Sequence, residues 1–358
     1  MGDRIPEGWR ECKLGEVITL QRGYDLPKEN MINGNIPVAG SKGIIGYHNQ
    51  STTKSPGVTI GRSGNLGNAS FYNTDFWAHN TTLYVRDFKG NDEKFVFYFL
   101  SNLDFNQFNA GSAVPTLNRN HVHSLYIKIP PLPEQRAIAS VLGSLDDKID
   151  LLNRENKTLE QMAETLFRQW FIEEADEGWE EVPLDQIATF LNGLACQKYP
   201  PKNEVDKLPV LKIKELRNGF TDNFDWATTD IPGEYIVQNG DVIFSWSGSL
   251  LVKIWEGTKC VLNQHLFKVT SEHYLKWFYY LWTKHHMDRF ISIAEGKATT
   301  MGHIKRGDLS NSLVLIPETN ELNEMDKIIS PLIDKIIGAS GFRVGHDNPS
   351  GSRDSFPQ

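Results

Sequence analysis

The stretch from Pro133 to about Glu173 constrains this 358-residue chain more than any other. Ile138, Leu142, Leu145, Ile149, Leu152, Asn156, Leu159, Ala163, Leu166 and Trp170 follow one another at alternating steps of four and three. Such a 3.5-residue repeat marks a coiled-coil seam rather than a helix lying on one globular core. Pro133 suits a first helical turn, where a missing N–H is not needed. After Pro133 no Gly or Pro interrupts the run except Gly143, which lies off the seam. A helix of about 40 residues is about 60 Å long, and its last residues are expected to fray. Asn156, the one polar seam residue, is expected to fix register or partner at some cost in stability.

The segments on either side of this helix repeat each other. Residues 7–19, EGWRECKLGEVIT, are echoed by residues 177–189, EGWEEVPLDQIAT. Further echoes follow in the same order. Val58 to Gly64 answers Val242 to Gly248, Asn80 to Leu83 answers Asn263 to Leu266, and Phe97 to Leu100 answers Phe278 to Leu281. Gly111-Ser112-Ala113 answers Gly296-Lys297-Ala298, and Leu145 to Ile149 answers Leu332 to Ile336. A collinear series of this length means an internal duplication whose unit is a whole domain plus a helix. Each domain mixes short β-type runs bounded by Gly, Asn, Ser and Pro with one aromatic run at helical spacing, so the fold class is α+β. The aromatic runs, Phe95–Leu103 and Tyr274–Thr283, are expected in the core rather than stacked on bases. The expected layout is a first domain over 1–131, the helix over 132–175, a second domain over 176–317, and a short second helix over 318–337. That second helix carries Met325, Ile329, Leu332 and Ile336 on its seam and stops at Gly338. The polar tail over 338–358 is expected to be disordered.

Chemistry is conspicuous by what the motifs lack. Gly61 to Gly67 is not GxGxxG, and Gly296-Lys297 is followed by Ala298 rather than Ser or Thr, so neither reads as a phosphate loop. The His pairs lack ligand-spaced partners. Cys12, Cys196 and Cys260 are odd in number and far apart, which supports neither zinc nor disulfides and reads as a reduced cytoplasmic protein. No signal-peptide core and no run of 18 apolar residues occurs. The net charge is −8, but it is uneven: residues 1–131 carry 13 Lys+Arg against 11 Asp+Glu, whereas residues 132–176 carry 5 against 10. The flanking domains can therefore each present a basic face.

The run Ile129-Pro130-Pro131-Leu132-Pro133-Glu134-Gln135-Arg136-Ala137-Ile138-Ala139, followed by Leu145-Asp146-Asp147-Lys148-Ile149, resembles the central region of specificity subunits of type I restriction–modification enzymes. The Glu-Gly-Trp opening of each half fits the same family. The resemblance covers residues 5 to about 337. It implies two target-recognition domains separated by long antiparallel coiled-coil helices, with each domain reading half of a bipartite site on double-stranded DNA. It also implies that two methyltransferase subunits dock on the helices and that restriction motor subunits join through the complex. This chain then holds no cofactor and no catalytic residue; S-adenosylmethionine, ATP and Mg belong to its partners. This sequence departs from the pattern after Pro317, where Glu318-Thr319-Asn320-Glu321-Leu322 lacks the second Pro-Pro and the Gln. The competing readings are a methyltransferase or nuclease with divergent motifs and a coiled-coil adaptor without nucleic acid. Under the favoured reading, base contacts come from polar and basic residues at the echoed Gly-rich positions. In the first domain these are Arg22, Lys42, Arg62, Asn65, Thr116, Asn118 and Arg119. In the second they are Trp246, Ser247, Lys297, Thr299, His303, Lys305 and Arg306.

Overall fold

A computed structural model describes residues 6–105, 108, 116–221, 223–296 and 302–339. The chain divides into two compact units, Met1–Lys148 and Ile149–Gln358. The first unit opens with β1 (Arg10–Lys13), the single turn α1 (Leu14–Val17) and β2 (Thr19–Arg22). Six strands follow: β3 (Ile36–Gly40), β4 (Gly43–His48), β5 (Gly57–Gly61), β6 (Ala69–Tyr72), β7 (Trp77–Ala78) and β8 (Thr82–Asp87). Then come α2 (Glu93–Ser101), α3 (Arg119–His123), β9 (Tyr126–Ile129) and the long α4 (Leu132–Arg168), which runs on into the second unit.

Three layers make up the first unit. Strands β2-β8-β5-β6 form an antiparallel sheet, and β4-β3-β7 form a smaller one in which β3 and β7 are parallel. Between the sheets lie Ala39, Tyr72, Phe76, Ala78 and Tyr84. On the other face of the larger sheet, Val58, Ile60 and Leu83 pack against Phe95, Val96 and Leu100 of α2. All five residues of β5 are buried, as an inner strand covered on both faces requires. The aromatic run of α2 is thus core, and Asp92 caps the helix by accepting from Phe95 N at 2.9 Å.

β1 and β9 pair antiparallel, from Arg10 opposite Ile129 to Lys13 opposite Tyr126, which brings the start and end of the domain together. The junction with α4 is then fixed by side chains. Trp9 Nε1 donates to Glu134 Oε1 at 3.1 Å. Gln135 is 2% exposed; its amide donates to Asn91 Oδ1 at 2.9 Å and Pro130 O at 3.0 Å and accepts from Asp92 N at 3.1 Å. The Pro-Glu-Gln start is therefore a clasp between the helix and the loop preceding α2.

The second unit repeats this plan after α4. Its elements are β10 (Glu180–Pro183), α5 (Leu184–Ile187), β11 (Thr189–Asn192), β12 (Lys207–Leu211), α6 (Ile213–Asn218), β13 (Trp226–Thr228), β14 (Ile236–Val237), β15 (Val242–Ser245) and β16 (Leu251–Ile254). They continue with β17 (Cys260–Leu262), β18 (Leu266–Thr270), α7 (Lys276–His285), α8 (Met287–Gly296), α9 (Arg306–Ser310), β19 (Leu313–Ile316) and α10 (Thr319–Ala339). The sheets are β11-β18-β15-β16 and β13-β12-β17-β14, with β12 and β17 parallel, and β10 pairs with β19. Trp179 Nε1 donates to Glu321 Oε2 at 2.8 Å, repeating the Trp9–Glu134 bond. The clasp residue is not repeated: Leu322, where the first unit has Gln135, packs half-buried against the core. Trp277 to Thr283 of α7 are all buried, again core rather than a stacking platform.

α4 and α10 run antiparallel within the second unit. Glu155 pairs with Lys335, and Asn156 Nδ2 donates to Ile336 O at 3.5 Å, near the end of α10. The end of α4 and the start of α10 instead flank the β10–β19 pair. Two features differ from the simple heptad. The buried stripe leaves the expected line after Ala163 and continues through Phe167 and Phe171, with Leu166 and Trp170 only half-buried. In α10 the deeply buried residues are Ile329, Ile333 and Ile336, while Leu332 and Met325 are half-buried. Steps of four rotate the stripe around an α-helix, and here the rotation brings Phe167 and Phe171 onto Trp282 and Phe278 of α7. The helix beyond Arg168 does not fray. Gln169–Glu173 form a π-helical turn in which Phe171 is buried. The helix is thus a seam toward α10 over its middle and a core helix at its end. α10 extends through Gly338 to Ala339, and the tail over 340–358 lies outside the described residues.

Charged groups between α4 and α7 are paired. Tyr280 hydroxyl donates to Glu160, and Lys284 Nζ lies 2.7 Å from Glu160 and 2.5 Å from Glu164. Burial acts to raise the Glu160 pKa, but Lys284 and the Tyr280 hydroxyl hold it below the usual carboxylate range. His286 lies between Trp282 and Phe290, and its Nε2 is 2.9 Å from Leu313 O. Burial pushes this imidazole down to about 4, against the opposing pull of that carbonyl.

Two stability predictions follow from these contacts. Gln135→Leu leaves Asp92 N–H and Pro130 O without their partner and is expected to lower stability by about 2–4 kcal/mol; the check is the urea midpoint of the full chain against Leu322→Ala. The neutral His286 ring is favoured in the folded state, and the unfolded ring titrates near 6.5. Folding stability contributed by this ring is therefore present above pH ~6.5 and lost as pH falls toward about 4, by up to about 3 kcal/mol. His286→Phe is expected to flatten that part of a stability–pH curve measured by urea titration.

Candidate nucleic-acid interface

The Gly-rich loop after β5 is built around a main-chain bridge. Ser63 pairs with Thr116, Leu117 N donates to Arg62 O at 2.8 Å, and Arg62 N donates to Thr81 O at 2.8 Å. The loop, the approach to β8 and the approach to α3 are thereby held together. Asn118 caps α3 by accepting from Asn120 N at 2.9 Å, which leaves Arg119 exposed on the first helical turn. Arg62 Nη1 donates to Asn80 O at 3.4 Å, and Asn80 in turn donates to Asp25, which also meets Arg22 at 3.4 Å. Burial first and the neighbouring Arg22 charge second draw the Arg62 pKa down. Two guanidiniums close enough to repel form a site that an anion or a guanine edge relieves. Asn65 is exposed in the same loop, and Lys42 is exposed in the β3–β4 turn beside it, where Ser41 O accepts from Asn68 Nδ2 at 3.4 Å. All seven first-domain candidates therefore surround one loop cluster.

The second unit has the same frame with different side chains. Ser247 bridges to His303, Ile304 N donates to Trp246 O at 3.1 Å, and Gly248 N donates to Gly302 O at 2.9 Å. His303, Lys305 and Arg306 are exposed on the approach to α9 and its first turn, and Asp308 accepts from Lys305 N at 2.7 Å. Trp246 and Ser247 are less open. Trp246 stacks on Phe267, and its Nε1 donates to Asn192 Oδ1 at 3.0 Å. Ser247 is 6% exposed, with its hydroxyl 3.1 Å from His265 Nδ1. Those two side chains hold the loop. Lys297 and Thr299 lie outside the described residues.

The sequence reading missed several neighbours. Asn192 occupies in the second unit the place Arg22 has in the first, three residues beyond the echo that ends at Thr19 and Thr189, so the signal was present in the repeat itself. Asn80 stood in the echo Asn80 to Leu83, whereas Asp25 carried no signal, because its role appears only when the loops meet. The outer face of β4 also leaves Ile44 (53% exposed), Ile45 and Tyr47 in solvent near this end of the first unit. Groups the sequence set aside remain structural: His123 Nε2 accepts from Leu20 N at 2.8 Å. Among the described residues no cluster of His, Cys, Asp and Glu suits a metal, and no helix is long and apolar enough to cross a membrane.

The sequence profile of the type I restriction modification DNA specificity domain matches residues 6–161 and again residues 176–339. The chain belongs to this family. The double match restates the internal duplication seen in the two sheets. Over 254 residues the chain is 26% identical to the type I restriction enzyme MjaIX specificity subunit of Methanocaldococcus jannaschii, covering 63% of this chain and 58% of that one. Over 165 residues it is 26% identical to the EcoBI specificity subunit of Escherichia coli, covering 45% of this chain and 33% of that one. The chain therefore spans between a third and three-fifths of the length of these relatives. A crystal structure of the S subunit of a type I restriction–modification system from M. genitalium shares the fold, with a TM-score of 0.59 over 97% of this chain and 94% of that one at 14% identity.

The loop frame makes one prediction. A β-carbon on Gly61 would sit 1.7 Å from Asn65 O and 3.2 Å from Ser41 O, both backbone atoms. Gly61→Ala is therefore expected to cost on the order of 2–3 kcal/mol and to rearrange the loop, read as a lowered melting temperature and increased amide exchange over residues 62–68.

Proposed function

We propose that this chain is the DNA-recognition subunit of a type I restriction–modification assembly. Each unit reads one half of a bipartite target, and unread bases lie between the halves. The observation that carries this reading is the paired loop frame. The bridges Ser63–Thr116 and Ser247–His303 are equivalent, yet the side chains beside them include Arg22, Arg62 and Asn65 in one unit and His303, Lys305 and Arg306 in the other. Equivalent scaffolds with unlike reading groups select unlike half-sites, so the target is asymmetric. Arg and Asn are the side chains that contact guanine and adenine bidentately, and Lys305 and Lys42 suit phosphates. The chain's role is recognition; methyl transfer and cleavage fall to partner subunits, which carry S-adenosylmethionine, ATP and Mg. The methyltransferase subunits, two per assembly, dock on α4 and α10, and the restriction motor subunits join through them. The acidic outer face of α4 suits protein contacts better than DNA.

The test is a single-molecule methylome of a host expressing this chain with its methyltransferase subunit. The expected motif has two different halves around an unread spacer. Arg119→Ala is expected to relax one base pair of one half by about 5- to 100-fold, corresponding to roughly 1–3 kcal/mol of lost discrimination, and to leave the other half unchanged. Equal loss at both halves, or methylation without a bipartite motif, overturns the reading.

A further inference from the structure

One of the places where the two units differ lies directly against the Gly-rich loop. In the first unit, β3 and β4 are joined by the turn Ser41-Lys42. That turn lies against the Gly-rich loop: Asn68 Nδ2 donates to Ser41 O, and a β-carbon on Gly64 would sit 3.8 Å from Ser41 Oγ. In the second unit the same slot, between β12 and β13, is filled by α6. That helix also lies against the Gly-rich loop, since a β-carbon on Gly248 would sit 3.7 Å from Ile213 Cδ1. Leu216 is fully buried and Ile213 packs beside it in the core between the sheets, so one face of α6 is anchored. The opposite face exposes Lys214 and Arg217.

Arg217 stands at the edge of a cavity of about 350 Å³ lined also by Gly248, Ser249, Gly302 and Glu295. Gly248 and Gly302 are the two residues joined by the loop bridge, so this cavity opens at the candidate reading surface. Arg217 forms no ion pair among the described residues. Glu215, one turn away from the loop contact, is 3% exposed with Oε2 unpartnered, and its other oxygen is 3.8 Å from Lys214 Nζ. Lys214 thus meets a carboxylate, whereas Arg217 is the cation at the cavity edge.

We propose that α6 is the specificity-determining insert of the second unit, and that Arg217 reads a guanine in the half-site which that unit recognises. The slot is where the duplicated fold differs in both length and chemistry while remaining fixed to the bridge. An element that is rigidly based, differs between the readers and faces the reading loop is positioned to distinguish their half-sites. Arg217 presents a planar fork that pairs with O6 and N7 of guanine in the major groove. Glu295, across the cavity, disfavours a phosphate there and suits the amino group of the paired cytosine.

The inference rests on the DNA-reading role proposed above, and the experiment separates the two. The complete chain carrying Arg217→Ala, Arg217→Lys or Arg306→Ala is co-expressed with its methyltransferase subunit, and the methylome is read. Both Arg217 variants are expected to lose about 5- to 100-fold of the preference at one G·C pair of one half-site, because Lys keeps the charge but not the fork. The other half-site is expected to be unchanged. Wild-type preference in Arg217→Lys assigns a phosphate contact and overturns the inference. So does an unchanged motif in Arg217→Ala when Arg306→Ala alters that half, or complete loss of methylation in both Arg217 variants. If the unmodified chain yields no bipartite motif at all, the DNA-reading role itself falls.

Discussion

Each unit is closed by its own ends. The first strand pairs with the last, β1 with β9 and β10 with β19, and the tryptophan immediately before the first strand bonds the first-turn glutamate of the next long helix. Everything else follows from that closure. The chain leaves each unit where it entered it, so the helix that follows begins from a fixed platform. The Gly-rich loops, the approaches to α3 and α9, and the slot between β3 and β4 can therefore vary without disturbing the helix junction. A repeated fold with unlike loops suits the proposed reading of two half-sites, because each half can then change independently.

The same closure explains why the two clasps are unequal. In the first unit Gln135 satisfies three buried groups at the helix start, whereas Leu322 replaces it with apolar packing. Replacing a satisfied buried polar group together with its partners by packing can be nearly neutral, while removing one partner alone is costly. The missing Gln in the second half is thus a different solution to the same junction, where α7 opens after Tyr274-Leu275 rather than after an Asn-Asp pair.

Much of this was legible in the sequence because it rested on repetition and period. The duplicated Glu-Gly-Trp opening, the strand echoes and the seam of α4 each depend on local pattern, and all reappear in the structure. The errors have local causes as well. The heptad count gave Leu166 and Trp170 where Phe167 and Phe171 are buried, because the π-helical turn and the aromatic face of α7 override the 3.5-residue period at that end. Leu332 was chosen over Ile333 for the same reason: a seven-residue count cannot see where α4 itself begins to rotate. At the loops the sequence placed residues near one another without saying which point outward. Trp246 proved to be tied to Asn192, and Ser247 to His265, through contacts between segments 54 and 18 residues apart. Arg217 went unnoticed because an insertion has no echo to draw attention to it.

Asn156 gives the helix pair a further property. It is 7% exposed, its Nδ2 reaches Ile336 O in the last turn of α10, and its Oδ1 has no hydrogen-bond partner among the described residues. Asn239 meets the next carbonyl, Ile337 O, at 3.2 Å. An all-apolar pair would tolerate sliding by a turn, since the slipped pair would bury much the same Ile and Leu surface. With one amide in the seam, only the alignment that brings it to the carbonyl end of α10 avoids stranding its N–H groups as well as its oxygen. The half-satisfied amide thus acts as a proofreading element for register: it lowers the stability of the correct alignment slightly and that of a slipped alignment more.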